Sequence, residues 1–355
     1  MSQDTLRVGI VGAAGYTGAE LIRLIHRHPR LELTWVAGNS NAGRKLSEVL
    51  PGTLGVSGIG QLEIERFEPA DATRLAQRLD VVFCCLPHAK SAEVVASLYS
   101  TGLRVVDLSA DFRLRNVDDY RTWYGEHPAP ALLDQAVYGL PEIYRKELVG
   151  ARLIAAPGCY PTSALLPIVP LLKQDLLDLS GPIIVDAKSG VSGAGRTPGA
   201  GTHFSETSEG IRAYKVAGAH RHTGEIEQEL SLAAGQRVQV VFTPHLVPMT
   251  RGILSVSYLR PRGGVDAQRC RDAARGHYAE GLVSVMQDEL PDTLWVRGSV
   301  RAHVAYRLDP RTGTLLAFGA IDNLTRGASG QALHALNVSL DWDEALGLPE
   351  LGQFP

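Results

Sequence analysis

A short apolar run leads directly into a glycine-rich turn near the start of the chain. Residues 6–18 read LRVGIVGAAGYTG, and an amphipathic stretch follows at 19–28. This order is typical of the first strand, loop and helix of a parallel α/β sheet. Glycines at such a turn lack the Cβ atoms that would keep a pyrophosphate away from the N–H groups of the helix N-terminus. The stretch therefore predicts a dinucleotide site, although its G-x-x-G-x-x-G spacing also allows a tight turn without a ligand.

The alternation of apolar runs and helical patterns continues through the first half of the chain. Further strands are predicted at 33–37, 81–86 and 105–108, and a further helix at 91–100. This pattern indicates a Rossmann-like, doubly wound parallel sheet.

The pattern of apolar and polar residues changes after Pro157. Longer strands with alternating polarity are predicted at 183–188, 238–242, 252–259 and 295–304, and helices at 225–233 and 266–278. We therefore expect a second, mixed α/β domain with a largely antiparallel sheet. We place a cofactor domain at 1–157 and a catalytic domain at 158–326. The stretch 327–341 is helical by pattern, but periodicity does not say to which domain it returns.

The composition and net charge of the chain indicate which classes of protein and partner to expect. The 355 residues are 45% hydrophobic and 21% charged, which is typical of two packed globular domains. A formal net charge of −3 gives no reason to expect nucleic acid or an anionic membrane as a partner, so a small molecule is expected. No apolar run reaches the roughly 18 residues of a membrane span, and we expect no signal peptide, because the first strand begins almost at once.

The four cysteines show no spaced framework of the kind that disulfide-rich secreted domains have. They are Cys84, Cys85, Cys159 and Cys270. We expect a reducing cytoplasm.

The loop after the second strand indicates which dinucleotide is bound. NAD-selecting enzymes usually carry an acid there for the ribose 2'-hydroxyl, whereas residues 37–45 read AGNSNAGRK. Ser40 and Arg44 suit a 2'-phosphate, so NADP is favoured over NAD. The alternative is a solvated polar loop.

A candidate nucleophile lies just after the predicted domain boundary. Residues 155–162 read AAPGCYPT, which puts Cys159 at a predicted helix N-terminus. The N–H groups and the dipole of a helix stabilise a thiolate there, which is the reactive form. The alternative is a buried cysteine that acts as a small hydrophobe. Pro167 and Pro170 predict that this helix is short or kinked.

A candidate base lies in residues 218–225, which read GAHRHTGE. His220 or His222 could serve as a catalytic imidazole beside Arg221. A metal site and a surface histidine cluster are alternatives. Arg113 and Arg196 lie in small-residue loops, 108–113 and 189–196, that resemble anion-binding turns, with solvated arginines as the alternative.

Many ordered segments together resemble one family, the N-acetyl-gamma-glutamyl-phosphate reductases of arginine biosynthesis. The resemblance is carried by 12–18, 107–113, 138–142, 157–162, 189–196, 220–222, 243–252, 322–324 and 327–332. One departure is Ala156, where the family usually has asparagine before Pro-Gly-Cys.

The resemblance implies a glyceraldehyde-3-phosphate dehydrogenase-like arrangement, in which a C-terminal segment, 327–355, completes the Rossmann domain. It also implies NADPH, an acyl phosphate substrate, a dimerisation domain that gives a homodimer or homotetramer, and a Cys159–His220 pair with His222 as the alternative base. The substrate-binding residues expected are Arg113, Ser189, Arg196, His222 and Arg251. The cofactor-binding residues expected are Gly12, Ala14, Gly15, Tyr16, Thr17, Gly18, Ser40, Arg44, Pro87, Ser192, Gly193 and Asn323. No metal is expected.

Other functions remain open on the sequence alone. A sister reductase that acts on a carrier-bound aminoadipyl phosphate would have nearly the same catalytic core, and aspartate-semialdehyde dehydrogenase is more distant. A non-catalytic NADP-binding regulator and a Cys-His hydrolase represent other classes.

Overall fold

The computed structural model describes residues 5–279 and 281–354. In chain order the strands are β1 (Leu6–Val11), β2 (Leu31–Ala37), β3 (Ile64–Glu65), β4 (Val81–Cys84), β5 (Arg104–Asp107), β6 (Ala136–Tyr138), β7 (Leu153–Ala155), β8 (Ile183–Gly190), β9 (Arg212–Ala213), β10 (Val240–Val247), β11 (Ile253–Leu259), β12 (Val283–Val285), β13 (Ala302–Asp309) and β14 (Thr314–Ile321). The helices are α1 (Tyr16–Ile25), α2 (Leu46–Val49), α3 (Ala72–Ala76), α4 (Ala92–Ser100), α5 (Val117–Tyr124), α6 (Pro141–Leu148), α7 (Cys159–Lys173), α8 (Phe204–Thr207), α9 (His222–Ala234), α10 (Ala267–His277), α11 (Thr293–Val296) and α12 (Gly330–Ser339).

These elements form two compact units. The first contains the described residues up to Pro157 together with Ala328–Leu348, and the second contains Gly158–Gly327 with the described residues from Pro349 onward. In the first unit α12 packs against α1 and α6. Residues 349–354 belong to the second unit, whereas the sequence analysis had attached the whole of 327–355 to the first.

The first unit is built on a parallel sheet with the strand order β3-β2-β1-β4-β5-β7-β6. All its strand pairs are parallel, which confirms the predicted doubly wound sheet. The strand order reverses at β1, which lies between β2 and β4. Because the strands are parallel, the carboxyl ends of these three strands meet at one edge, where open α/β sheets bind their ligands.

The second unit is built on a mixed sheet with the order β12-β13-β14-β11-β8-β10-β9. Its central pairs are antiparallel, as predicted, but β8–β10 and β12–β13 are parallel. The strand predicted at 295–304 is wrong at its start, because Trp295 lies in the short helix α11 and the strand begins at Ala302. Asp292 caps α11 by accepting a hydrogen bond from the N–H of Leu294, which the apolar pattern did not indicate.

Side chains alternate between two faces of the second sheet. On β8, β10 and β11 the buried positions point to the face that α7 covers, where α7 packs on β11 and β14. On the other face, Ile184, Val241 and Tyr258 are 42%, 47% and 40% exposed. This second face is called the open sheet face below.

The prolines of α7 do not shorten it. The helix runs for 15 residues with Pro167 and Pro170 inside, so of the two predicted alternatives, a short or a kinked helix, the short one is wrong. A proline frees the carbonyl four residues earlier, and neighbouring side chains satisfy both freed groups. The Ser255 hydroxyl donates to the Ser163 carbonyl at 2.8 Å, and the Tyr278 hydroxyl donates to the Leu166 carbonyl at 2.7 Å.

None of the helices among the described residues has the length and apolar character needed to cross a membrane.

We predict that Gly319→Ala destabilises the second unit. A Cβ at this position on β14 would lie 2.1 Å from the Ser163 carbonyl oxygen of α7, so the helix would have to move. Overpacking of this kind costs typically about 1–3 kcal/mol of the free energy of unfolding. Gly263→Ala is the matched control, because nothing lies within 4 Å of its added Cβ. Urea unfolding midpoints that are equal for the two variants would contradict this packing.

Candidate active site

The glycine-rich loop of the first unit leaves the N-terminus of α1 open. Gly12 has φ +83°, and a Cβ there would lie 2.4 Å from the main-chain oxygen of Cys85, so only glycine fits. At Gly15, which precedes the first residue of α1, the nearest atom to an added Cβ is 3.6 Å away, across the turn. A phosphate can therefore approach the N–H groups of the first helical turn. The other predicted loop residues surround this opening: Ala14, Tyr16, Thr17 and Gly18.

The edge beside this loop carries the residues predicted to select NADP. Ser40 lies in a turn after β2, and Arg44 follows it; both side chains are exposed. The Arg44 guanidinium is 3.5 Å from the Glu48 carboxylate and donates to the Glu48 carbonyl at 3.0 Å. An exposed ion pair of this kind contributes about 0–1 kcal/mol, so a phosphate can displace it at little cost. Pro87 is exposed just after β4.

Arg113 lies elsewhere in the first unit, and it is buried. Its Nε donates to the Ala156 carbonyl at 2.7 Å, and its Nη2 donates to the Leu108 carbonyl at 2.8 Å. The Ala156 N–H donates to the Asp107 carbonyl at 2.8 Å. The main chain of Ala156 is thus held on both sides without the asparagine side chain that the family usually has. That Arg113 also binds substrate stays a prediction.

Cys159 is the first residue of α7 in the second unit. The preceding Gly158 is the N-cap residue, and its carbonyl accepts hydrogen bonds from the N–H and the hydroxyl of Thr162, both at 3.0 Å. At Gly327 an added Cβ would lie 2.6 Å from the Cβ of Cys159, so this neighbour must be glycine. The half-buried thiol therefore lies where the helix dipole favours a thiolate.

The buried carboxyl group of Glu225 binds the main chain at the start of α7. Glu225, in the first turn of α9, accepts a hydrogen bond from the Gly158 N–H at 2.8 Å and is 2% exposed. The sequence analysis did not assign Glu225 a role, although it lies in the same short segment as the two histidines. An acid in a first helical turn is common in any protein, so its pattern carries no signal for this contact.

His220 lies in an aromatic environment that includes Tyr160, the residue after Cys159. Its ring packs edge-on against Tyr160 and Tyr214, with centroids 5.6 and 5.5 Å away. Burial, with smaller contributions from Lys215 and Arg221, lowers the pKa of His220 to about 4. The imidazole is therefore neutral at pH 7 and can accept a proton. Its Nδ1 accepts the His222 N–H at 3.1 Å, which leaves Nε2 for chemistry.

Two tyrosines connect the cysteine to this histidine. The Tyr214 hydroxyl donates to the Tyr160 hydroxyl at 3.2 Å, which donates to the His245 carbonyl at 3.1 Å. Burial raises the pKa of Tyr214 to about 12, and the nearby Cys159 acts in the same direction. Cys159 and His220 thus share Tyr214 as a neighbour. The sequence analysis missed Tyr214, because 54 residues separate it from Tyr160.

His222 lies beside His220, with ring centroids 4.9 Å apart. The structure leaves it as the alternative base. In residues 5–279 and 281–354, no three His, Cys, Asp or Glu side chains are grouped so that they could hold a metal ion.

The remaining predicted cofactor residues lie in the second unit and contact one another. The Asn323 side-chain amide donates to the Ser192 hydroxyl at 2.9 Å, and its oxygen accepts the Gly252 N–H at 2.8 Å. At Gly193 an added Cβ would lie 3.3 Å from the Ser189 hydroxyl and 3.6 Å from the Asn323 amide nitrogen. Ser189, Ser192, Gly193 and Asn323 therefore form one cluster.

The two predicted arginines of the second unit lie in different settings. Arg251 directs its guanidinium to the buried Asp322, at 3.5 Å, and to the Thr325 hydroxyl, at 3.4 Å. Arg196 is exposed in the loop after Gly195. Their substrate contacts stay predictions.

Two family models match the chain. The model described as "Semialdehyde dehydrogenase, NAD binding domain" matches residues 7–151, and "Semialdehyde dehydrogenase, dimerisation domain" matches residues 159–323.

Solved structures with the same fold are aspartate semialdehyde dehydrogenases. The enzyme II from Vibrio cholerae superposes with a TM-score of 0.71 at 17% identity, covering 94% of this chain and 98% of that one. The Candida albicans protein, crystallised with NADP, has a TM-score of 0.65 at 17% identity with the same coverage. At this identity they show the fold alone.

Curated relatives are much more similar in sequence. N-acetyl-gamma-glutamyl-phosphate reductase of Magnetococcus marinus is 50% identical over 354 residues, covering 99% of each chain. That of Geotalea daltonii is 47% identical over 352 residues, covering 99% of this chain and all of the relative. With both semialdehyde dehydrogenase models matched and identity near one half from end to end, the chain belongs to the N-acetyl-gamma-glutamyl-phosphate reductase family.

Proposed function

We propose that this chain uses NADPH to convert N-acetyl-gamma-glutamyl phosphate into N-acetyl-glutamate 5-semialdehyde and phosphate, through a thioester on Cys159. This is a step of arginine biosynthesis, and we place it in the cytoplasm. The observation that carries the proposal is the cysteine at the first position of α7, together with a half-buried, neutral histidine that packs against Tyr160 and Tyr214. Family membership identifies the substrate class to which this arrangement is applied.

The first unit fits the dinucleotide. The N-terminus of α1 is open, the loop approaches Cys85 closely, and the loop after β2 has cations and hydroxyls in place of an acid. Gly12, Gly15 and their neighbours would hold the pyrophosphate, and Ser40 and Arg44 the 2'-phosphate. When bound, NADPH supplies the hydride that reduces the thioester carbon.

The first chemical step forms the thioester. His220 accepts the proton of the Cys159 thiol, and the thiolate attacks the acyl carbon of the substrate. The bond from that carbon to the phosphate oxygen breaks, and phosphate leaves with the electron pair. Burial disfavours the charged imidazole, so His220 is ready to give its proton up again.

The second step uses the same proton. After reduction, His220 donates it to the oxygen of the thiohemiacetal on Cys159. His220 then takes the proton back as the carbon–sulfur bond breaks, and the aldehyde leaves with the thiolate restored. Splitting the reaction in this way gives each step a good leaving group.

We also propose that the chain assembles as a homodimer, or as a dimer of dimers, through the open sheet face. The matched model is a dimerisation domain, and it includes every strand of the second sheet. Ile184, Val241 and Tyr258 form adjacent rungs of this face, because Ile184 pairs with both of the other two residues. A second copy that covers the face would bury these side chains.

Substitution of Cys159 and substitution of His220 should reduce activity in two different ways. Cys159→Ala removes the atom that carries the acyl group, so turnover should vanish while NADPH binding persists. His220→Asn keeps the nucleophile and should lower kcat by about 10²- to 10⁴-fold, the usual contribution of a general acid–base. Initial rates with NADP, phosphate and N-acetylglutamate semialdehyde measure both effects, and fluorescence titration measures NADPH binding.

His222→Asn is the matched control for the histidine. A larger loss for this variant than for His220→Asn would exchange the two histidine roles. Measurable reduction of acyl phosphate by Cys159→Ala would overturn the thioester mechanism.

Arg44→Ala should weaken NADPH binding by about 1–3 kcal/mol and leave NADH binding nearly unchanged, because only NADPH has the 2'-phosphate. Arg27→Ala removes an exposed arginine just after α1 and serves as the control. Dissociation constants for both nucleotides provide the test. Equal losses of affinity for NADPH and for NADH would contradict the assignment of Arg44 to the 2'-phosphate.

Val256→Glu should halve the mass in solution. Val256 lies on the open sheet face, where it pairs with Asp186 and Phe318 in the centre of the sheet. A second carboxylate opposite Asp186, whose charge Lys188 already partners, would be repelled and desolvated in the dimer but solvated in the monomer. Gln236→Glu, in an exposed loop, is the control. Sedimentation at micromolar concentration tests this, and a fully active wild-type monomer would contradict it.

A further inference from the structure

A small cleft lies in the second unit, between the start of β9, the end of β10 and the short helix α8, and no role has been given above to the residues that line it. Its volume is about 160 Å³. A cavity of about 150 Å³ accommodates a ligand the size of benzene. The lining combines apolar side chains with an arginine, a carboxylate and a hydroxyl: Val191, Ile211, Leu246, Val247, Arg212, Glu206 and Thr207.

The cleft is on the same side of the sheet as Cys159. Arg212 pairs with Leu246, and Leu246 pairs with Ser189, so the three side chains share one face. Tyr214, two residues after Arg212, points its hydroxyl at Tyr160, the residue next to the nucleophile. The Tyr214 N–H donates to the Pro244 carbonyl at 3.1 Å, which continues the pairing of β9 with β10 one residue past the end of β9. Residues two apart on an extended chain point the same way, so Arg212 lies on the Tyr160 side of the sheet.

The distance between Arg212 and Tyr214 is compatible with the length of the substrate chain. Two residues of extended strand span roughly 6.5 Å, which separates Arg212 from Tyr214 along the edge of the sheet. In the substrate, three bonds separate the acyl carbon from the α-carbon, as they do between consecutive Cα atoms about 3.8 Å apart. One further bond joins the α-carbon to the carbon of the α-carboxylate. The side chain of Arg212 is long enough to span the remaining distance to that carboxylate.

The charges in the cleft are available for a ligand. Across residues 5–279 and 281–354, Arg212 makes no ion pair, and its guanidinium donates no hydrogen bond. An Nη of Arg212 lies 3.1 Å from the position that a Cβ on Gly201 would occupy, so the small residue there leaves room for it. A guanidinium is suited to bidentate binding of a carboxylate.

We infer that this cleft is the subsite for the N-acyl amino-acid end of the substrate. Arg212 binds the α-carboxylate, Glu206 accepts a hydrogen bond from the secondary amide N–H, and the acetyl methyl group packs against Val191, Leu246 and Val247. This inference rests on the proposed function, because it assumes that Cys159 holds the acyl end of the same molecule.

The test compares two aldehydes in the reverse reaction with NADP and phosphate. One is N-acetylglutamate semialdehyde, and the other is acetamidobutanal, the same molecule without the α-carboxylate. Arg212→Met should raise KM for the first by about 10- to 100-fold with kcat nearly unchanged, since it removes a charge-assisted contact made equally in the ground and transition states. With acetamidobutanal, kcat/KM should be the same for wild type and variant.

Controls separate the subsite from folding and from the chemistry. Arg237→Met removes an exposed arginine of the same unit and should change neither substrate's KM. Arg212→Lys should recover part of the lost affinity, and NADPH titration reports that each variant is folded. An unchanged KM in Arg212→Met, or an equal loss for both aldehydes, would overturn the subsite. Failure of the wild type to oxidise N-acetylglutamate semialdehyde would instead overturn the proposed function.

Discussion

At one point the backbone of α7 lies directly against the second sheet, with no side chain between them. The Ser163 carbonyl is so close to β14 that only a glycine fits at position 319, and Ser255 of β11 donates a hydrogen bond to the same oxygen. This contact fixes the helix, and Cys159 is the first residue of that helix. The position of the nucleophile is therefore set by main-chain packing more than by contacts of its own side chain.

Charge around the nucleophile is balanced between opposing effects. The N-terminus of α7 favours a thiolate, whereas the buried carboxyl group of Glu225 accepts a hydrogen bond from the N-cap amide of the same helix. Burial keeps His220 neutral at pH 7. An arrangement in which the histidine is uncharged until it takes the thiol proton suits a reaction that needs that proton returned within the same cycle.

The proposed site for the cofactor 2'-phosphate, at Arg44, differs from the catalytic site in that its charge is exposed to solvent. Its cation is exposed, and its ion pair with Glu48 is weak, so an incoming phosphate exchanges one partner for another at small cost. The cleft near Arg212 needs no such exchange, because no partner within the described residues has to be displaced. In the two proposed sites, the binding of the cofactor phosphate and the binding of the substrate carboxylate would therefore rely on different degrees of preorganisation.

The parallel first sheet, the glycine loop and the cysteine at a helix start could all be predicted from the sequence, because period and turn chemistry are local properties. The sequence did not determine that α7 would survive two internal prolines. That depends on Ser255 and Tyr278, which reach the freed carbonyls from 92 and 112 residues away. The clamp of Glu225 on Gly158, the tyrosine pair and the lowered pKa of His220 likewise follow from burial and from contacts between distant segments. Such contacts leave no periodic pattern in the sequence, so they become visible only in the folded chain.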